Sequence, residues 1–251
     1  HNLTAATLVP TGVQREQLTG HGFNNVQVFS RGVDSNLFTP RKRSDELRQR
    51  WGTRADDVVL LHVGRIAAEK NLELALETYR RLHEADERVR MVLVGDGPLL
   101  AGIREQHPEI ICCGMQRGED LATHFASGDV FLFPSLTDTF GNVVTEAMAS
   151  GLAVVSFDYA AGHEHILHGD NGMLAAFADS EQFIHCAATL TDSPNRLRTL
   201  RANARNRALA IGWERIVDEF SRHLSGDRYE DSSYGHEQNS AATKRSAVQQ
   251  S

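Results

Sequence analysis

The chain has 251 residues, 41% hydrophobic and 24% charged, a composition typical of one globular domain or one domain with additional pieces. Its net charge of −7 argues against nucleic-acid binding as the main function, because such a surface is normally basic. No apolar stretch reaches the roughly 18 residues of a membrane-spanning helix. The three cysteines lack metal-binding spacing and are predicted to be buried thiols in a reducing compartment.

Short apolar runs alternate with helical patterns from residue 25 to residue 190. The N-terminal segment predicts a strand at Thr7–Val9, a helix over residues 13–19 and a strand over residues 25–29, which is the first of these runs. Further strands are predicted over residues 58–63, 91–94, 110–113, 130–133 and 153–157, and helices over residues 72–83, 99–106, 121–126 and 143–149. This order predicts an α/β fold, a Rossmann-like parallel sheet with helices on both faces.

Beyond residue 178 the pattern is helical, over residues 180–190, 196–210 and 213–224, with Pro194 separating the first two helices. Residues 225–251 are polar and are predicted to be disordered. The predicted domains are therefore a remnant of a preceding domain with its linker (1–33), a main α/β domain (34–224) and a tail (225–251).

Asp138 and Glu146 stand on either side of a predicted helix start that follows a buried strand and a polar loop. The free N–H groups of a helix start bind anions, and Gly141 allows a ligand to approach the backbone. The two carboxylates would repel a phosphate but would accept hydrogen bonds from sugar hydroxyls. The unit therefore indicates a nucleotide sugar, although an N-cap aspartate and a solvated helix glutamate would show the same spacing.

Other loops are predicted at the same edge of the sheet. Arg65 and Lys70 flank the loop after the first main strand and could bind phosphate oxygens, although such residues are often solvated. The segment 94–98 predicts a tight turn and lacks the GxGxxG pattern of dinucleotide-binding proteins. His163 and His165 resemble a metal pair, but an i, i+2 spacing brings two ligands together only on a strand, so no metal site is predicted.

With these residues in place, the chain resembles the retaining, nucleotide-sugar-dependent glycosyltransferases of the GT-B fold, group 1 (mannosyltransferase-like), and in particular their C-terminal, donor-binding half. Four motifs match in order over roughly residues 1–224. They are the linker around residues 30–40, the diphosphate clamp at 64–71, the turn at 95–98 and the paired-acid motif at 138–151.

The resemblance implies a role for each site residue. Arg65 and Lys70 would stabilise the diphosphate leaving group, and Asp138 would bind hydroxyls of the transferred sugar. Glu146 would bind the ribose. The remaining donor-binding positions would contact the phosphates, the sugar or the base: Gly64, Met115, Leu121, Phe140, Gly141, Asn142 and Val143. No metal or other cofactor is expected, because two cations and a helix start would neutralise the developing charge.

The implied function is transfer of a hexose, with mannose as the candidate, from a nucleotide sugar to a glycolipid or polysaccharide. The expected partners are this donor and acceptor and no nucleic acid, and the expected location is the cytoplasm or, as a peripheral protein, the inner face of the membrane. The alternatives are a sugar-nucleotide 2-epimerase and a non-catalytic nucleotide-sugar-binding module.

Two features depart from the family pattern. The family usually has Glu where this chain has Asp138, so the reach of this side chain to the sugar is in question. Most of the family's N-terminal domain, which carries the acceptor site, is absent, so the chain alone is expected to be inactive in transfer.

Overall fold

The computed structural model describes residues 2–4, 6–9, 12–29, 32–137, 141–214, 216–218 and 221. Residues 1–216 form one compact unit, which holds a two-stranded and a six-stranded sheet, and residues 217–251 form a second unit. The predicted tail lies outside the described residues, as do the predicted site residues Asp138 and Phe140. Among the described residues, no helix has the length and apolar character needed to cross a bilayer.

The two-stranded sheet opens the chain. Strands β1 (Thr7–Val9) and β2 (Val26–Val28) pair in parallel and are joined by helix α1 (Gly12–Gly20), as the sequence predicts. A 3₁₀ turn at Pro40–Lys42 and helix α2 (Asp45–Arg50) then lead into the main sheet. Neither of these two elements follows from the hydrophobic pattern.

The main sheet has six parallel strands in the order β5-β4-β3-β6-β7-β8. Their bounds are β3 (Val58–Val63), β4 (Val89–Val94), β5 (Ile111–Cys112), β6 (Val130–Phe133), β7 (Ala153–Phe157) and β8 (Gly172–Ala175). The chain runs outward from β3 to β5 and then crosses back to place β6 on the other side of β3. This reversal creates a switch point between β3 and β6, where ligands of open α/β sheets bind beyond the carboxyl ends of the strands.

Helices cover both faces of the sheet. They are α3 (Leu72–Ala85), α4 (Leu100–Gln106), α5 (Gly118–Ser127), α6 (Asn142–Ala149), α7 (Ala160–His165), α8 (Ser180–Thr191) and α9 (Pro194–Leu209). Alternate residues of β3 divide between two cores: Leu60 packs with residues of α3 and α8, and Leu61 packs with residues of α5 and α6. The predicted α/β fold class is therefore confirmed.

The sequence pattern places Pro194 between two helices, but the structure shows that Pro194 is the first residue of helix α9. Proline suits the first turn of a helix because its missing N–H group would have no partner there.

Candidate functional site

The pairing of β3 with β6 ends before the carboxyl ends of the two strands, at the switch point, where an open α/β sheet is expected to form a ligand crevice. Their register pairs Leu60 with Val130 and Leu61 with Phe131, whereas β3 and β4 stay paired as far as Val63 and Val94. The loops that carry the predicted site residues begin on either side of this opening.

The loop after β3 carries both predicted cations. Arg65 is exposed, and its Nη1 lies 3.0 Å from Oε1 of Glu69, four residues later. Lys70 is half-buried at the end of a 3₁₀ turn (Ala68–Lys70). Asn71 follows in the left-handed conformation, with φ 53°, and its side-chain amide donates to the carbonyl of Pro134 at 3.1 Å. This bond ties the cationic loop to the loop after β6 across the crevice.

The turn after β4 fixes the position of the cationic loop. Gly64 N–H donates to Val94 O at 3.0 Å, and Ile66 N–H donates to Asp96 O at 3.0 Å. A β-carbon on Gly95 would stand 1.8 Å from the carbonyl oxygen of Gly64, and one on Gly97 would stand 2.4 Å from that of Ile66. Both glycines are therefore required because the two loop backbones touch. The 94–98 segment is thus a support for the site as well as a turn.

His62, the next-to-last residue of β3, lies beyond the last pair of β3 with β6 and is 2% exposed. Its Nδ1 is 3.1 Å from the carbonyl oxygen of Leu132, so the neutral ring carries its proton on Nδ1. Its Nε2 is buried and has no hydrogen-bond partner among the described residues. Burial, with a smaller contribution from the positive charge of Lys70, lowers the pKa of His62 to about 4.

Ser135, two residues beyond β6, is a second buried polar group beside the crevice, and its Oγ also lacks a partner within the described ranges. Sequence reasoning identified neither His62 nor Ser135. The available signal was weak: one histidine in an otherwise apolar strand, and a serine after a proline.

Helix α6 begins at Asn142 on the other side of the crevice. Gly141 precedes it with φ 49°, and a β-carbon there would stand 2.3 Å from the β-carbon of Ala161. Val144 N–H donates back to Gly141 O at 2.7 Å, whereas Asn142 is exposed and Val143 half-buried. The structure therefore places the start of α6 at the carboxyl edge of the sheet, where its free N–H groups can bind an anion.

Glu146 lies one turn into α6 and is half-buried. Burial raises the pKa of its carboxyl group to about 7. No described side chain donates a hydrogen bond to it. A carboxylate in this environment is suited to hydroxyl groups of a ligand, because it has acceptor capacity that the described protein groups do not fill.

The residues predicted to border the base follow β5. Met115 is exposed, and the side chain of Leu121 is half-buried on α5, where it packs against the core. Gly95 N–H donates to Gly114 O at 2.8 Å, which joins this loop to the one that supports the cations. Their contact with a base stays a prediction.

His163 and His165 lie on helix α7, where residues two apart point in different directions. His163 Nδ1 is 2.7 Å from Asp158 Oδ1, whereas burial lowers the pKa of His165 to about 4. In the described ranges, no three His, Cys, Asp or Glu side chains gather as a metal site.

Sequence reasoning also missed a buried ion cluster at the opposite, amino end of the strands. Asp129 Oδ1 is 2.8 Å from Arg201 and 3.1 Å from Arg43, and its Oδ2 is 3.0 Å from Arg48. Asp129 Oδ2 also accepts from Val59 N at 2.9 Å, which fixes β6 beside β3. The cluster thus stabilises the frame of the crevice from below.

Comparisons with known proteins identify the family and the fold of the chain. A family model described as "Glycosyl transferases group 1" matches residues 57–193. The chain is 32% identical over 225 residues to a GDP-mannose-dependent alpha-mannosyltransferase of Corynebacterium glutamicum, covering 90% of this chain and 53% of that protein. It is 34% identical over 223 residues to the sulfoquinovosyl transferase SQD2 of Arabidopsis thaliana, covering 85% of this chain and 43% of SQD2.

Solved structures show the same fold. Anabaena HepE in complex with UDP superposes with a TM-score of 0.76 at 22% identity, over 89% of this chain and 64% of that one. The chain spans about half the length of the curated relatives it matches, at 53% of the mannosyltransferase and 43% of SQD2.

Proposed function

Because the chain belongs to the group 1 glycosyltransferase family, we propose that it supplies the donor-binding half of a retaining hexosyltransferase. The observation that carries the proposal is that two elements follow the two strands on either side of the switch point: the cationic loop follows β3, and helix α6 follows β6. Cations and free N–H groups on facing sides of a crevice form a site for a diphosphate, the leaving group of a nucleotide sugar.

We propose a role for each residue of the site. Arg65 and Lys70 neutralise charge on the departing diphosphate, and the backbone from Phe140 to Val143 contacts its oxygens and the donor sugar. Asp138 accepts hydrogen bonds from hydroxyls of the transferred sugar, and Glu146 accepts them from the ribose.

Two further roles concern access of the phosphate to the backbone and contact with the base. Gly64 leaves space for a phosphate oxygen to approach the backbone, and Met115 and Leu121 border the base. The half-burial of Glu146 and its lack of a described donor support its role.

We propose GDP-mannose as the donor, since the relative from Corynebacterium glutamicum is named as GDP-mannose-dependent. HepE is a protein solved in complex with UDP, so UDP is the nucleotide to compare with GDP. The proposed acceptor is a glycolipid or polysaccharide at the cytoplasmic face of the membrane. Acceptor chemistry is assigned to the rest of the enzyme, so this chain alone is proposed to bind the donor without transferring sugar.

The proposal is tested by measuring whether GDP binds to the chain without a metal ion. We expect GDP, titrated by calorimetry into the whole chain, to bind equally well with EDTA and with Mg²⁺, because two cations and a helix start supply the positive charge. Arg65→Ala and Lys70→Ala should each weaken binding roughly 10-fold or more, the value of a charge-assisted hydrogen bond.

The matched control is Arg88→Ala. Arg88 is also exposed and paired with an acid, Asp86 at 2.7 Å, but it lies at the amino end of β4. This variant should bind GDP like the parent protein. Binding that requires Mg²⁺ would contradict the assignment of the two cations, and tighter binding of UDP than GDP would replace the proposed donor.

A further inference from the structure

The unpartnered Nε2 of His62 faces the space that a ligand would enter over Gly64. Chain neighbours aside, Nε2 is the one described atom within 4 Å of the position that a β-carbon on Gly64 would occupy, at a distance of 3.6 Å. Glycine leaves that position empty, so a ligand oxygen can come close to the imidazole there.

A buried polar atom without a partner costs free energy, and such atoms in native structures often mark a ligand or water site. In the His62 ring, Nδ1 bonds to Leu132 O, but no described protein group bonds to Nε2. The cost of burying Nε2 is therefore not offset by a described group. Ser135 Oγ, the second buried polar atom of this kind, follows the strand across the crevice. One such atom lies on β3 and the other follows β6, the two strands on either side of the switch point.

The neutral Nδ1–H ring cannot donate to a phosphate, because the Nδ1 proton is already engaged and Nε2 carries a lone pair. The Nε2–H tautomer would offer an N–H group in that direction but would give up the bond from Nδ1 to Leu132 O, so only the imidazolium form makes both bonds. Burial is the main cause that opposes protonation, and the charge of Lys70 adds to it. On the neighbouring strands, β4 presents Leu93 beside His62 and β6 presents Leu132, and neither carries a charge. A bound anion would offset the charge of Lys70 and would favour the protonated ring.

We propose that His62 is a further phosphate-binding residue, which takes up a proton from solvent when a nucleoside diphosphate binds and donates from Nε2 to a phosphate oxygen over Gly64. The inference rests on the proposed donor-binding function and adds a residue to it. It also makes diphosphate binding proton-linked, because one proton enters the site with the anion.

Nuclear magnetic resonance of the imidazole rings tests the inference directly. Long-range ¹H–¹⁵N spectra of the whole chain at pH 6 should show His62 as the neutral Nδ1–H tautomer without ligand. Saturation with GDP should convert it to imidazolium, and inorganic pyrophosphate should do the same, whereas guanosine should not. The signals of His62 are identified as those that are absent from the spectrum of the His62→Gln variant.

Two variants give a second readout. His62→Leu should bind GDP roughly 10-fold more weakly at pH 6, the loss of one charge-assisted hydrogen bond. His62→Gln, which places an N–H donor near the position of Nε2, should retain most of the affinity. The control is His83→Leu, since His83 also bonds a backbone carbonyl through Nδ1, that of Val89 at 2.9 Å, but at the amino end of β4.

The outcomes separate this inference from the proposed function. GDP binding with His62 still neutral in the saturated complex would overturn the inference and leave the donor site standing. Failure of GDP, UDP and pyrophosphate to bind at all would overturn both.

Discussion

Burial of the Glu146 carboxyl group makes its contribution to stability depend on pH. Its pKa in the folded chain is about 7, above the 4.5 of an unperturbed glutamate. Between these two values the folded state holds a proton that the unfolded state has lost. The contribution of Glu146 to stability therefore falls as the pH rises through this interval, and above pH 7 the desolvated carboxylate destabilises the fold.

We expect Glu146→Gln to stabilise the ligand-free chain at pH 8 by roughly 1–3 kcal/mol, since a shift of one pKa unit is worth about 1.4 kcal/mol. At pH 4, where the carboxyl group is protonated in both states, the difference should vanish. Urea unfolding of variant and parent at the two pH values measures this. Comparing the two proteins at each pH cancels the opposite contributions of His62 and His165, whose pKa values are lowered.

The same variant should bind GDP about 10-fold more weakly at pH 8, because an amide replaces one acceptor oxygen with a donor. Glu84→Gln is the control, since Glu84 lies exposed on α3 and pairs with Arg80. A Glu146→Gln protein with unchanged affinity would contradict the ribose role while leaving the stability argument intact.

At the scale of elements, the site depends on two loops whose backbones are in contact. Gly95→Ala would place a methyl group 1.8 Å from the Gly64 carbonyl oxygen and would also strain a residue at φ 144°. We expect a loss of roughly 2–4 kcal/mol in stability, as for overpacking of a rigid contact. GDP affinity should fall with it, because the cationic loop must move.

Gly102→Ala is the matched control for this change. Gly102 lies in α4, and a β-carbon there would meet no atom within 4 Å. Alanine at this position should be neutral or stabilising by up to about 1 kcal/mol, as in other helix interiors. If Gly95→Ala unfolds like Gly102→Ala and binds GDP normally, the two loops are not coupled as inferred. Thermal unfolding and calorimetry on both variants decide between these results.

The sequence predicts well those elements whose apolar residues form a continuous run or repeat over several helical turns. Strand β3 and helix α3 follow from such patterns, and so does the switch from strands to helices near residue 178. Helices α2 and α7 do not, because six residues make fewer than two turns and show no helical period. Strand β8 begins with glycine and contains no β-branched residue, so it lacks the composition that marks the other strands.

The residues of the candidate site also divide into those that the sequence indicates and those that only the structure reveals. Arg65, Lys70 and Glu146 are visible in the sequence because they stand in motifs beside glycines and a helix start. The environment of His62 is not visible, since it depends on where β3 and β6 cease to pair and on which carbonyl faces the ring. Burial and partner geometry are properties of the folded chain, and no local pattern encodes them.

At the scale of the whole molecule, Asp129 joins parts of the chain that are far apart in sequence. Its carboxylate meets guanidinium groups from residues 43, 48 and 201, the last two of which lie on α2 and α9. Arg201 also donates to Gly151 O at 2.7 Å, beyond the end of α6. The cluster therefore connects the segment before the main sheet, the last long helix and the helix that carries Glu146.

Asp129→Asn should destabilise the fold by roughly 3–5 kcal/mol, because removing one partner of a buried ion pair leaves the opposite charges without compensation. Arg48 bears most of this cost: its side chain is 5% exposed, compared with 31% for Arg43 and 25% for Arg201. A domain of this kind has only about 5–15 kcal/mol of stability. The loss should therefore appear as a large fall in the urea midpoint followed by circular dichroism.

Asp86→Asn is the comparison, since Asp86 pairs with Arg88 at the surface and should change stability by less than about 1 kcal/mol. If the two variants unfold alike, Asp129 is not the link between these elements. If instead Asp129→Asn unfolds early but keeps its GDP affinity below the transition, the cluster supports the fold without setting the geometry of the crevice. We expect affinity to survive, because the cluster lies at the amino end of the strands and the crevice at their carboxyl end.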